Sequence, residues 1–189
     1  MNLATVGFKA TYNGKTGFVT AGHAFINSAG NQMGGTVIKQ SSFSTSDIGN
    51  KIAMNIAKGV PTWCDCAVVE ENSLFRSMDD GVYSLADPNA TESPYWNQLV
   101  TISGGVTGLS SGYVNNLNWD YSLDLDKNGT LETPVNDAIK AGYSSQAGDS
   151  GSPIISYSGN LVGIHVGSGG VFMSHSAVTN AFPGLTWGF

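Results

Sequence analysis

Gly148-Asp149-Ser150-Gly151-Ser152-Pro153 is the stretch from which the rest of the chain can be read. Glycines on either side of Ser150 let the backbone turn sharply and leave the hydroxyl exposed. Such a turn can also aim successive N–H groups at one point, which suits a developing oxyanion. The apolar run Ile154-Ile155-Ser156-Tyr157 follows at once and would anchor the turn to a strand. A Gly/Ser-rich hexapeptide is by itself also an ordinary loop. What lifts it above that reading is a histidine and an aspartate in matching settings elsewhere in the chain.

His23 follows the strand-like run Lys15–Ala21 and a glycine, so it lies near a strand end, where a side chain can face a cleft. Asp65 heads the apolar run Cys66-Ala67-Val68-Val69. A carboxylate there is costly to bury unless it accepts hydrogen bonds, and the N–H of an imidazole would satisfy it. A serine hydroxyl is a poor nucleophile at neutral pH. It needs a base within reach, and the base needs an orienting partner. Taken singly, the two residues also read as a surface histidine and a strand-end aspartate.

The bulk properties fit a compact β protein. The chain has 189 residues, 25 glycines, 12% charged residues and 41% hydrophobic ones. It is long enough for one large all-β domain or two small barrels. The formal net charge is −6 and the lysines and arginines form no run, so neither nucleic acid nor an anionic membrane surface is an expected partner. No apolar stretch approaches a membrane span in length. Met1 leads directly into strand-like sequence, so no leader or pro-segment is expected within these residues. Cys64 and Cys66 are the only cysteines. Two apart on a strand, they would share a face and be poorly placed to bond, so they read as small buried hydrophobes.

Short strands recur along the chain. Ala4–Tyr12 alternates and ends at Asn13-Gly14, a hairpin signal. Further strands are predicted over Lys15–Ala21, Thr36–Gln40, Lys51–Ala57, Cys64–Glu70 and near Gly81–Ser84. Asp87–Pro94 has no periodicity and reads as a linker. Strands then resume at Gln98–Ser103, Ser111–Asn116, Ile154–Tyr157, Leu161–Val166 and Val171–Ser174. Ser176–Phe182 suits a short closing helix ended by Pro183. Asp124, Asp126 and Asn128 look like the start of a calcium loop. Val135 stands where that loop needs its bidentate acid, and Asn128-Gly129 reads more simply as a hairpin turn. No metal and no cofactor is expected.

Three segments resemble the signatures of chymotrypsin-fold serine proteases, in that family's order: Thr20-Ala21-Gly22-His23-Ala24, Asp65-Cys66-Ala67-Val68 and Gly148–Pro153. Gly17–His23 and Gly108–Val114 resemble the small bacterial members, the streptogrisins and their relatives. The resemblance implies an all-β fold: two six-stranded antiparallel β-barrels, over 1–88 and 95–189, with the active site in the cleft between them and a short C-terminal helix. It implies His23, Asp65 and Ser150 as a catalytic triad, and the N–H groups of Gly148 and Ser150 as an oxyanion hole. Ala24 stands where family members often carry a disulfide cysteine. Digestive relatives pair the aspartate before the serine with a new N-terminal ammonium, and Asp149 is expected to be satisfied internally instead. The resemblance also implies a monomer that acts on protein or peptide substrates and is secreted.

Leu161–Ser168 falls where the family builds its primary specificity pocket. Gly163-Ile164-His165 resembles the glutamyl endopeptidases, and viral proteases that cut after glutamine carry a similar Gly-x-His. His165 and Ser168 are therefore expected to bind the substrate side chain before the cleaved bond, with glutamate preferred and aspartate open beside it; the alternatives are a glutamine or small apolar preference, or a protease-fold module that binds without cutting. A histidine in an apolar strand is also often a satisfied core residue. His175 is placed behind His165, where it could set the tautomer of the first ring, or at an exposed strand end.

Overall fold

The computed structural model describes residues 4–33, 37–39, 47–72, 82 and 85–189. The predicted strand near Gly81–Ser84 lies outside the described residues except for Val82.

β1 (Phe8–Tyr12) and β2 (Lys15–Thr20) form a hairpin that turns at Asn13 and Gly14, with φ of 51° and 74°. Both angles are left-handed, the backbone that Asn-Gly adopts at least cost. A single 3₁₀ turn, Gly22–Phe25, follows. β3 (Val37–Lys39), β4 (Asp47–Met54) and β5 (Ala67–Glu71) complete this half.

The second half begins with β6 (Leu99–Gly104), β7 (Gly108–Leu123) and β8 (Thr133–Ala141). It ends with β9 (Pro153–Ser156), β10 (Leu161–Gly167) and β11 (Val171–Ser174). These six strands close into a barrel in the order β10-β11-β8-β7-β6-β9. Helix α1 (His175–Ala181) follows. The Ser174 side chain caps it by accepting the Ala177 N–H, and Pro183 lies just beyond its end. The last strand, β12 (Thr186–Trp187), returns to pair with β1. The first sheet therefore has the order β12-β1-β2-β5-β4-β3, its sixth strand supplied by the far end of the chain.

The two halves share one large core, in which Phe8, Val19, Ile26 and Val68 of the first sheet join Ile155, Leu161, Ile164 and Met173 of the second. Burial of that surface is the main favourable term in holding the halves together. The β7–β8 hairpin adds a second connection. Thr62 N–H donates to the Pro134 carbonyl and Asn136 N–H to the Thr62 carbonyl, both at 2.9 Å. Gly59 N–H donates to Thr133 Oγ1 at 2.9 Å, and Lys58 pairs with Asp126. The segment just ahead of Asp65 is thus laced to the opposite barrel.

Two local expectations are corrected. Cys64 and Cys66 are joined by a disulfide. In an extended strand, residues two apart are about 6.6 Å apart at roughly 3.3 Å per residue, whereas these Cα atoms are 5.3 Å apart. The chain bends here, Cys64 N–H donating to Thr62 Oγ1 at 3.2 Å, and β5 begins only at Ala67. Second, the turn at Asn128-Gly129 is wider than a two-residue hairpin. Asp124 accepts the N–H groups of Asn128 and Gly129, Glu132 accepts that of Leu125, and the strands stop at Leu123 and Thr133. This loop brings the carboxylates of Asp124, Asp126 and Glu132 within 4.8 Å of one another, and the Asn128 side-chain amide donates to Asp126.

Candidate active site

His23 sits in the 3₁₀ turn, Asp65 in the bent segment before β5, and Ser150 in the turn before β9. The cleft between the halves brings the three together. Asp65 is fully buried. Its Oδ1 accepts the His23 backbone N–H at 2.7 Å, and its Oδ2 faces His23 Nδ1 at 2.5 Å. His23 Nε2 lies 3.0 Å from Ser150 Oγ. Two bonds from one carboxylate fix both the main chain and the ring of His23. They also select the tautomer with the proton on Nδ1, which leaves Nε2 free to accept the serine proton.

The charge balance suits that task. Burial opposes charge on His23, but the adjacent Asp65 carboxylate and its hydrogen bond outweigh burial and hold the ring above its ordinary value of 6.5. Beside this relay, the Tyr121 hydroxyl is buried without a hydrogen-bond partner among the described residues. Burial, reinforced by the charge of Asp65, holds its proton on.

The serine turn is held from beneath by Asp149, which is also fully buried. Asp149 Oδ1 accepts the N–H groups of Val106 and Thr107 at 2.8 and 3.0 Å. Its Oδ2 accepts the Thr107 hydroxyl at 2.5 Å and the Gln146 N–H at 2.8 Å. Burial opposes this charge, yet the donors outweigh it and keep the carboxyl below its usual range. Asp149 is accordingly satisfied by the turn between β6 and β7. Nothing in Gly104-Gly105-Val106-Thr107-Gly108 marks it in advance as that partner, because the turn carries no cation.

His165 lies next to the serine turn through its main chain. Gly151 N–H donates to the His165 carbonyl, and His165 N–H to the Ser152 carbonyl, both at 2.8 Å. The ring is 2% exposed, and burial pushes its pKa down to about 4. Its Nδ1 meets the Tyr143 hydroxyl at 2.9 Å, ring edge toward ring face. This corrects the expectation for His175, since the ring behind His165 is Tyr143. β11 ends at Ser174, so His175 opens α1, and its Nε2 is buried without a partner among the described residues. Ser168 is exposed in the turn between β10 and β11. Ser145, two residues after Tyr143, was missed. Its Oγ is buried and unpartnered among the described residues, and nothing in a serine-rich loop marks that in advance.

A mobile proton between an alcohol and an imidazole, next to a turn of glycine-bearing backbone, is an arrangement for nucleophilic acyl chemistry. The family model of the equine arteritis virus serine endopeptidase S32 matches residues 132–182. No curated protein sequence matches the chain. Among solved structures, the chain is similar to a glutamic-acid-specific serine protease described as using a histidine triad in substrate binding. The identity is 22%, with 98% of this chain and 93% of that one covered and a TM-score of 0.72. Protease A of Thermobifida fusca is 20% identical over 97% of this chain and 90% of its own, at a TM-score of 0.73. A chymotrypsin of Cellulomonas bogoriensis is 20% identical with the same coverage, at 0.71. These likenesses, spanning nearly the whole chain, show that it is built on the chymotrypsin fold in the form used by bacterial serine proteases.

Proposed function

We propose that the chain is a serine endopeptidase that cleaves after glutamate. The observation that carries the first part is the unbroken line from Asp65 through His23 to Ser150 Oγ. Ser150 Oγ attacks the scissile carbonyl while its proton passes to His23 Nε2. The tetrahedral oxyanion is held by the N–H groups of Gly148 and Ser150. The C–N bond then breaks as His23 returns the proton to the leaving amine. Water repeats the route to free the acid, and Asp65 steadies the imidazolium at each stage.

The second part rests on the donors near the serine turn. Neither 143–151 nor 161–170 contains Lys or Arg. With the Tyr143 O–H on Nδ1, the His165 proton sits on Nε2, where the Val171 backbone holds it in the free protein and a ligand's acceptor would compete for it. The Ser145 hydroxyl is a second donor without a partner among the described residues. A side chain bearing an acceptor is what such a set accommodates, and a carboxylate draws a proton onto His165 as it enters. The glutamic-acid-specific protease among the similar structures supports this reading. One observation favours glutamine as a second reading: a ring held down to about 4 is neutral at pH 7 and matches an amide without a charge partner.

Peptides differing only in the residue before the cleaved bond test both. Glu is expected to exceed Leu and Phe in kcat/KM by about tenfold or more, the worth of roughly one charged hydrogen bond. Equal turnover of Leu or Phe overturns both readings, and Gln ahead of Glu installs the second. Because a bound carboxylate raises the His165 pKa, binding Glu takes up a proton. The Glu:Gln ratio is therefore expected to fall as pH rises from about 4 through the raised value that the bound carboxylate gives His165.

Tyr143→Phe leaves the buried Nδ1 of His165 without a donor and the tautomer unfixed. Discrimination of Glu over Leu is expected to drop about tenfold, through KM more than kcat. Unchanged discrimination would remove Tyr143 from the pocket.

A further inference from the structure

Residues 4–7 precede β1 and form no strand, yet Thr5 among them lies directly against the serine turn. Thr5 N–H donates to the Ser150 carbonyl at 2.7 Å. The Thr5 hydroxyl donates to the Gly148 carbonyl at 2.8 Å. The same oxygen accepts the Gly105 N–H at 3.1 Å, from the turn that also holds Asp149. The Thr5 carbonyl accepts the Thr20 hydroxyl at 2.9 Å, at the end of the strand leading to His23. One residue therefore touches the serine turn, its supporting turn and the histidine strand.

The approach is tight enough to dictate sequence. A Cβ on Gly151 would lie 2.4 Å from the Thr5 carbonyl oxygen and 2.0 Å from Thr20 Oγ1, and φ there is +97°. Only glycine fits, for space and for backbone angle alike.

The bonds fall on particular peptide groups. The proposed oxyanion donors are the N–H groups of Gly148 and Ser150, which belong to the peptide groups 147–148 and 149–150. Thr5 holds the carbonyls of 148–149 and 150–151, the groups that alternate with them. A peptide group turns by opposite changes in the dihedral angles on either side of it, so fixing its neighbours fixes its own tilt. Gly148 has φ of +105° and no side chain, which makes its backbone the one freest to rotate in this turn. The Thr5 hydroxyl holds its carbonyl from one side, and the N–H of the same peptide group, that of Asp149, donates to the Gln146 carbonyl at 3.0 Å on the other.

We propose that Thr5 is a positioning residue for the oxyanion hole, setting the direction of the Gly148 and Ser150 N–H groups from a segment outside both sheets. This rests on the serine endopeptidase reading. It assigns Thr5 no contact with substrate.

Thr5→Val keeps the N–H bond to Ser150 and the shape, and deletes both bonds of the hydroxyl, the one given to the Gly148 carbonyl and the one accepted from the Gly105 N–H. Thr5→Ala deletes the same hydroxyl with no methyl replacing it, so the test survives if one variant fails to fold. Thr5→Ser restores the donor. Each is read by the rate at which a phosphonylating reagent labels Ser150, and by kcat and KM on the best peptide. Since loss of a whole oxyanion donor costs about 10²–10³, misdirecting it is expected to slow labelling and kcat by about 10- to 100-fold with KM little changed. Thr5→Ser is expected to return both to within about threefold of wild type, because it restores the donor. Labelling of folded Val and Ala variants at the wild-type rate overturns the proposal, as does a loss confined to KM. Folded wild type that is not labelled at all overturns the endopeptidase reading, and this inference with it.

Discussion

Ser150→Ala is expected to lower kcat by about 10⁴- to 10⁶-fold, since removing the nucleophile of a serine triad leaves only the contributions of binding and the oxyanion hole. The fold should be barely disturbed. The hydroxyl is partly exposed, its partner is His23 at 3.0 Å, and the turn is held by Asp149 and Thr5 whatever side chain residue 150 carries. The measurement is a pair: peptide hydrolysis, and labelling by a phosphonylating reagent followed by mass determination. Wild type should gain the adduct mass and Ser150→Ala should not. A folded wild-type protein that neither hydrolyses peptides nor takes the label would identify a binding module built on a protease fold. Residual activity above about 1% in a serine-free variant would place the nucleophile elsewhere.

Asp65→Asn should cost nearly as much, about 10⁴-fold in kcat. The variant keeps the shape and can still accept the His23 main-chain N–H. It cannot present an acceptor to Nδ1 as reliably as a carboxylate with two identical oxygens. An amide N–H directed at Nδ1 selects the opposite ring tautomer, with the proton on Nε2, and that nitrogen then cannot receive the serine proton. The pH profile separates this from simple misfolding. His23 must be neutral to act as base. In the native protein burial alone would lower its pKa, but Asp65 lifts it above 6.5, so the acid limb of kcat/KM should lie above pH 6.5. With the charge gone and burial unchanged, the limb of the variant should move to lower pH. Stability follows with a fixed sign. A histidine whose folded pKa is raised lends stability at pH below 6.5, and this is lost as pH rises through the folded value. That contribution to the melting temperature should vanish in Asp65→Asn. An unmoved acid limb would mean that another group governs the profile.

The residues of the candidate triad were the most legible part of the sequence, and for a physical reason. His23, Asp65 and Ser150 each stand in a short setting that a surface or core residue does not need: glycine before the imidazole, an acid heading an apolar run, glycines around a hydroxyl. The strands near them were legible as short apolar runs bounded by turn residues, and the Asn13-Gly14 turn through its demand for left-handed backbone. What could not be read depended on partners distant in the chain. Tyr143 looks like any strand-end aromatic until β10 sets His165 against it. Thr5 and Thr107 are single hydroxyls in unremarkable loops, 143 and 42 residues from the groups they hold. The Cys64–Cys66 bond was misjudged because regular strand geometry was assumed through a segment that Thr62 bends. The crossing of β12 to the first sheet has no local signature at all, being a matter of where a two-residue strand finds an open edge.

The lacing of Thr62 into the β7–β8 hairpin bears on how a substrate enters. Backbone hydrogen bonds run from one half of the molecule into the other within three residues of Asp65. For the jaws to swing apart, those bonds would have to break. On the proposed reading, an incoming peptide would meet a mouth whose width these bonds resist changing on that side, and choosing among peptides would fall chiefly to its lining.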